Sequence, residues 1–186
     1  GIAPGPANGF TLDIIDCFEK FSDLIDWAMI IINPFEPWPG QHVLAAAKKF
    51  NVDLLARVVD YGGIFHDDVK PGHKFKDGDH RTFRPAGWVE EGCAKLEKIR
   101  PFAEKHGLTM LQLAAIWDLT QEPVKSVVPT LIQEAHEGAK SIESKVDELA
   151  ALPDVRLTAE EVAEIAKIGD NTGCMTLKGA SERHLG

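Results

Sequence analysis

No apolar run in this sequence approaches the length that carries a helix across a bilayer, so no membrane partner is expected. Positive charge is also scarce. Lysine and arginine total 20 against 29 aspartates and glutamates, for a formal net charge of -9 at pH 7. Nucleic-acid binders are usually basic, so the expectation is no nucleic acid. Cysteines are few. Cys17, Cys93 and Cys174 are far apart and odd in number, which predicts free thiols in a reducing, cytoplasmic compartment instead of a disulfide frame. No secretory signal is visible. No G-x-G-x-x-G follows the first strand, so a doubly wound dinucleotide fold lacks its signature. No solenoid-length repeat or low-complexity stretch appears. What is present is globular: 186 residues, 44% hydrophobic and 26% charged, enough for a single domain over 1–186. The chain opens at Gly1, not methionine, and runs straight into an apolar segment. It reads as a fragment or a processed product.

Apolar strands and helices alternate. Residues 1–3 are the end of a strand stopped by Pro4, and the apolar positions Phe10, Leu12, Ile14, Ile15, Phe18 and Phe21 are spaced as a helix. Residues 27–32 (WAMIII) form a continuous apolar run closed by Asn33-Pro34, as suits a strand covered on both faces. A short alanine-rich helix over 41–50 precedes a strand over 52–59. Residues 60–87 make a long polar lid loop, and loops of that length are usually functional or mobile. A helix over 88–106 carries Pro101, which predicts a kink or break near Arg100. Thr109 caps the next helix. Thr158 and Glu161 form a capping box for the last one, and 170–186 reads as an irregular tail. The alternation predicts an α/β fold with parallel strands. It suits a partial (β/α)8 TIM barrel of about the last four βα units, whose strand C-termini share the functional rim.

The chain is organised around 124–152, VKSVVPTLIQEAHEGAKSIESKVDELAAL. A short strand stops at Pro129, and a loop leads through Gly138, Ala139 and Lys140 to Ser141, an N-cap, with Glu143 in the first helical turn. A cation beside a helix N-terminus is an anion site. The same features also describe an ordinary capped helix with a solvated lysine.

Residues 96–129, LEKIRPFAEKHGLTMLQLAAIWDLTQEPVKSVVP, run helix, G-x-T, helix with A-x-x-W, strand. In this the chain resembles the C-terminal half of an aldo/keto reductase. That family has a last strand of the form I-P-G-A-[RK]-S followed by a helix like P-E-Q-L-E-E-N. Here the match is Val128-Pro129, an inserted stretch over 130–137, then GAKSIESKVDE. The resemblance implies a (β/α)8 barrel that uses NADP(H) to reduce a small-molecule carbonyl by hydride transfer. It implies that Lys140 and Ser141, after Gly138 and Ala139, grip the 2′-phosphate. Ser144, Asp147 and Glu148 stand where the family holds adenine. Tyr61, Gly62 and Gly63 resemble the glycine-rich turn whose amides meet the pyrophosphate. Asn33 sits near the family's glutamine for the nicotinamide amide, while Ala3-Pro4 replace its Ser-Asn. The catalytic tyrosine, lysine, aspartate and histidine lie on the first half of the barrel, outside this chain, so no catalytic residue is assigned. The chain alone is expected to be inactive. A missing N-terminal half-barrel, or self-association, is the expected partner, since an open half-barrel leaves strand edges unpaired.

A second constellation lies in the lid. His66, Asp67, Asp68, His73, Asp77, Asp79 and His80 are suitable metal ligands, but at no standard spacing. The bland reading is a polar lid whose Lys74, Lys76 and Arg81 lean on the pyrophosphate. The alternative functions are therefore a noncatalytic half-barrel that serves as a binding or scaffold module, and a metal-binding lid using His66, His73 and His80.

Overall fold

The computed structural model describes residues 1–5 and 9–172. Its sheet has three parallel strands in the order β1 (Trp27–Ile31), β2 (Asp53–Arg57), β3 (Val124–Val128). Trp27 pairs with Asp53 and Ile31 with Arg57; Arg57 in turn pairs with Val128. The register slips between Leu54 and Leu55. The expected strand end at the N-terminus is a single parallel bridge from Ile2 to Ala28, outside the named strands.

Six helices accompany the strands: α1 (Phe10–Phe21) before β1, α2 (Gly40–Phe50) between β1 and β2, α3 (Trp88–His106) and α4 (Met110–Leu119) between β2 and β3, and α5 (Ile142–Ala150) and α6 (Ala159–Gly169) after β3. Side chains alternate across a strand, so one set faces the helices. That set is Ala28, Ile30, Leu54 and Ala56, all in the core with Phe18, Val43, Leu113 and Trp117. The opposite set, Met29, Ile31, Leu55 and Arg57, is only half-buried. Trp27 and Val128 are 40% and 41% exposed. The sheet therefore has one sealed face and one open face.

Local chemistry explains the helix ends. Thr109 caps α4 in a reciprocal pair with Gln112, and Thr158 does the same for α6 with Glu161. The Trp117 indole donates to the carbonyl of Val162 at 3.0 Å, tying α4 to α6. A side chain on Gly169 would collide with the Pro34 carbonyl oxygen, so only glycine lets α6 end against the loop after β1. The break expected at Pro101 is absent: α3 runs unbroken from Trp88 to His106. Pro101 is exposed, as is Glu97, whose carbonyl loses its helical partner there and can turn to water. Cys174 and most of the expected tail lie outside the described residues.

Candidate functional site at the strand C-termini

The loops after β2 and β3 carry unusual backbone. Val58, Tyr61 and Asp67 follow β2 with φ of 61°, 48° and 61°, and Leu131 follows β3 at 52°. A β-branched residue such as Val58 in that region is strained, and such strain gathers at functional sites. Gly62 and Gly63, at 59° and 98°, supply the remaining left-handed turns.

Buried hydrogen bonds and ion pairs join these loops. The Asp60 carboxylate accepts from the His66 ring at 2.9 Å and from the Thr130 hydroxyl at 2.8 Å. Asp60 and His66 are both buried. Burial pushes the Asp60 pKa up, but the bonds to His66 and Thr130 outweigh it and the carboxyl titrates below its usual value. Arg81 of the lid forms a fork with Glu134, at 2.5 and 3.1 Å, and both side chains are less than a twentieth exposed. Burial pulls the Arg81 pKa down, and the carboxylates of Asp79 and Glu134 more than restore it. Lys145, fully buried on α5, reaches Asp68 at 2.7 Å and the Ile132 carbonyl at 2.5 Å. The glycine turn, the inserted stretch and the start of α5 are thus brought together on the side of the sheet where the strands end.

Ser141 caps α5, accepting from the Ser144 amide at 3.1 Å. Lys140 is partly exposed, and its ammonium lies 3.4 Å from Glu148. Glu148 also accepts from the Thr109 hydroxyl. Ser144 and Asp147 are exposed. Around Gly138, at φ 85°, a side chain would meet nothing within 4 Å, and Ala139 is half-buried. Tyr61 is buried, with its ring 5.1 Å from Trp88 and 5.5 Å from Phe35. Burial and Glu36 raise its hydroxyl pKa, so it stays protonated at any ordinary pH.

Two of the expected contact groups are engaged within the chain. Asn33, expected near a nicotinamide, is fully buried and its amide is saturated. Its oxygen accepts from the Phe35 and Glu36 amides, both at 2.9 Å; its nitrogen donates to Glu36 and to the Val58 carbonyl, both at 3.1 Å. In this arrangement it pins the strained turn at Val58. In the glycine turn, expected to offer amides to a pyrophosphate, the Gly63 N–H donates back to the Asp60 carbonyl at 3.0 Å.

The lid histidines go to different carboxylates: His66 to Asp60, His73 to Glu134 at 3.4 Å, His80 to Asp79 at 3.8 Å. Among the described residues no group of three or more His, Cys, Asp or Glu could hold a metal ion. A cavity of about 620 Å³ opens at the other end of β3, between Val124, Lys125, Leu152 and Arg156, away from these residues.

Sequence reasoning missed Asp60, Thr130, Glu134 and Lys145 as the groups that hold the loops. Lys145 alone carried a signal. It falls on the apolar stripe of α5 with Ile142 and Leu149, where a lysine needs a buried partner.

An NADP-type dinucleotide requires a cation for its 2′-phosphate. Lys140 fits: it is partly exposed and loosely engaged, beside the capping hydroxyl of Ser141 and the amide end of α5. The Glu148 carboxylate nearby opposes an anion.

No curated protein matches the chain. Solved structures do. A glycerol dehydrogenase from Gluconobacter oxydans superposes with a TM-score of 0.68 at 19% identity, covering 89% of this chain and 49% of its own. An aldo-keto reductase from Bacillus halodurans in its apo form gives 0.57 at 18%, covering 100% and 53%. An aldo/keto reductase from Klebsiella pneumoniae, solved with NADP and acetate, gives 0.52 at 16%, covering 84% and 44%. At these identities the likeness is one of fold, and the chain spans about half the length of those structures. The profile of the aldo/keto reductase family matches residues 12–170. With most of its length inside that match, and a parallel α/β fold to go with it, the chain belongs to the aldo/keto reductase family.

Proposed function

We propose that this chain is the NADP(H)-binding half of an oxidoreductase that reduces small-molecule carbonyls, built as about the last four βα units of a (β/α)8 barrel. The observation that carries the reading is the cluster at the strand C-termini. There Lys140 and Ser141 open α5, while Lys145–Asp68 and Arg81–Glu134 tie that region to the glycine turn. The bound cofactor supplies the hydride. This chain's own part is to hold and orient it. Lys140 and Ser141 take the 2′-phosphate, and Ser144, Asp147 and Glu148 line the adenosine side. Gly138 and Ala139 leave room for the phosphate to approach. Tyr61, Gly62 and Gly63 border the diphosphate. Asn33 acts at one remove, by fixing the Val58 turn.

The acid that protonates the carbonyl oxygen belongs to the other half of the barrel. Tyr61 is no candidate, since its hydroxyl is buried and its pKa is raised. The open sheet face, with Trp27 and Val128 exposed, is where that half would pack. The same open face supports a second reading, a noncatalytic half-barrel that binds another chain or a second copy. Cytoplasmic residence goes with the first reading.

Titration of the purified chain with NADPH, followed by tryptophan fluorescence, tests the proposal. Saturable binding without carbonyl turnover is expected. Absence of NADPH binding, with the chain folded, would leave the noncatalytic reading.

A further inference from the structure

Arg57 closes β2 on the open face of the sheet, in register with Ile31 on one side and Val128 on the other. These partners and its neighbours Met29 and Leu55 on that face are apolar. The side chain reaches across β1, where its Nη2 donates to the Gly5 carbonyl at 3.1 Å. Its Nε is buried and has no partner among the described residues. No carboxylate among them offsets the charge, and burial alone lowers the pKa. Other arginines of the chain differ. Arg81, Arg84 and Arg100 meet carboxylates at 2.5, 2.8 and 2.6 Å, and Arg156 is exposed.

A half-buried cation costs stability unless an opposite charge meets it. A carboxylate meets a guanidinium edge with two parallel N–H bonds. Arg57 also stands at the functional end of the sheet, since it leads directly into the Val58 turn that Asn33 holds. We infer that Arg57 is a specificity-determining residue whose guanidinium receives a carboxylate borne by the carbonyl compound itself. The substrates are then oxo acids, aldehydes or ketones that carry a carboxylate. This substrate class rests on the chain being half of a carbonyl-reducing enzyme. A single cation among apolar side chains matches a single negative charge. A phosphate dianion would bring an unbalanced charge into the same surroundings. Arg57 takes no part in proton or hydride transfer; it holds the acid end of the molecule at the strand C-termini.

The test follows the Arg57 Nε–H resonance by NMR in the isotope-labelled chain, assigned by its loss in Arg57→Lys. The probes are levulinate, a keto acid, its neutral methyl ester, and inorganic phosphate. Levulinate should move the resonance saturably and bind at least tenfold more tightly than the ester. Arg57→Met should abolish that preference, and Arg57→Lys, which keeps the charge, should retain part of it. If Arg57→Met does not fold, the wild-type titrations and Arg57→Lys carry the same comparison. A resonance that ignores levulinate overturns the inference. So does equal binding of the ester, a preference that survives in Arg57→Met, or tighter binding of phosphate at the same resonance. NADPH titrated into the same samples separates the two readings. A chain that binds NADPH while its Arg57 ignores levulinate loses the substrate class and keeps the cofactor. A chain that prefers levulinate through Arg57 but binds no NADPH keeps the carboxylate site and loses the cofactor reading.

Discussion

Asp60 and His66 meet at 2.9 Å in the turn after β2, and neither side chain reaches solvent. Thr130 completes the arrangement from the other loop. Removing one partner of a buried hydrogen-bonded pair strands the other, which typically costs about 1–3 kcal/mol. Asp60→Ala should therefore lower unfolding stability by about that amount in urea melts at pH 7. The Asp60 pKa is depressed in the folded chain, so its stabilisation is present above the usual carboxylate range and fades as pH falls through the folded value. A loss below about 1 kcal/mol would show that the turn does not depend on this pair.

Glu161 joins the end of α3 to the start of α6. It accepts from Lys105 at 2.7 Å, from the Thr158 amide at 2.8 Å and from His106 at 2.9 Å. The bond from Lys105 and then that from Thr158 hold its carboxyl down to about 2, and the Arg81 side chain does the same for Asp79. Both groups contribute stability that is complete above pH ~4.5 and lost as pH falls toward ~2. Melting temperature against pH should drop across that window. In Glu161→Gln the drop should be shallower, because one of the two titrations is gone.

Asp118 behaves in the opposite sense. It is fully buried at the end of α4, and among the described residues neither carboxyl oxygen finds a hydrogen-bond partner. Burial pushes its pKa well above the normal carboxylate value. The unfolded chain ionises this group as pH rises past ~4 while the folded chain keeps it protonated, so Asp118 costs stability toward neutral pH. Asp118→Leu, similar in size and apolar, should raise stability at pH 7 by about 1–3 kcal/mol. A destabilised Asp118→Leu would mean that the carboxyl has a partner.

Lys145 is buried against Asp68 and the Ile132 carbonyl, and this pairing holds α5 to the lid. Lys145→Met keeps much of the side chain's length and removes the charge. It should cost about 3–5 kcal/mol, the usual penalty for stranding the partner carboxylate. It should also speed proteolysis at the lysines of the lid. If stability falls while lid cleavage stays at the wild-type rate, the pair serves packing and not the lid.

Much of the fold was legible because it depends on local patterns. The apolar run over 27–32 gave β1, and the Thr109, Ser141 and Thr158 caps gave the starts of α4, α5 and α6. The long-range polar contacts that build the site were not legible. Arg81 and Glu134 are 53 residues apart, and Asp60 and Thr130 are 70 apart. No periodicity links such residues; only the crossing of two loops at the strand ends does. Asn33 shows the same limit. Its position at the end of β1 could be read, but not that the Val58 turn would use up its amide.

The most direct measurement is the affinity of the chain for NADPH and for NADH, in wild type and in Lys140→Glu. The account predicts that charge reversal weakens NADPH at least tenfold and leaves NADH within about twofold, because only NADPH carries the phosphate that Lys140 would meet. Equal losses for both cofactors, or no loss for either, would contradict it.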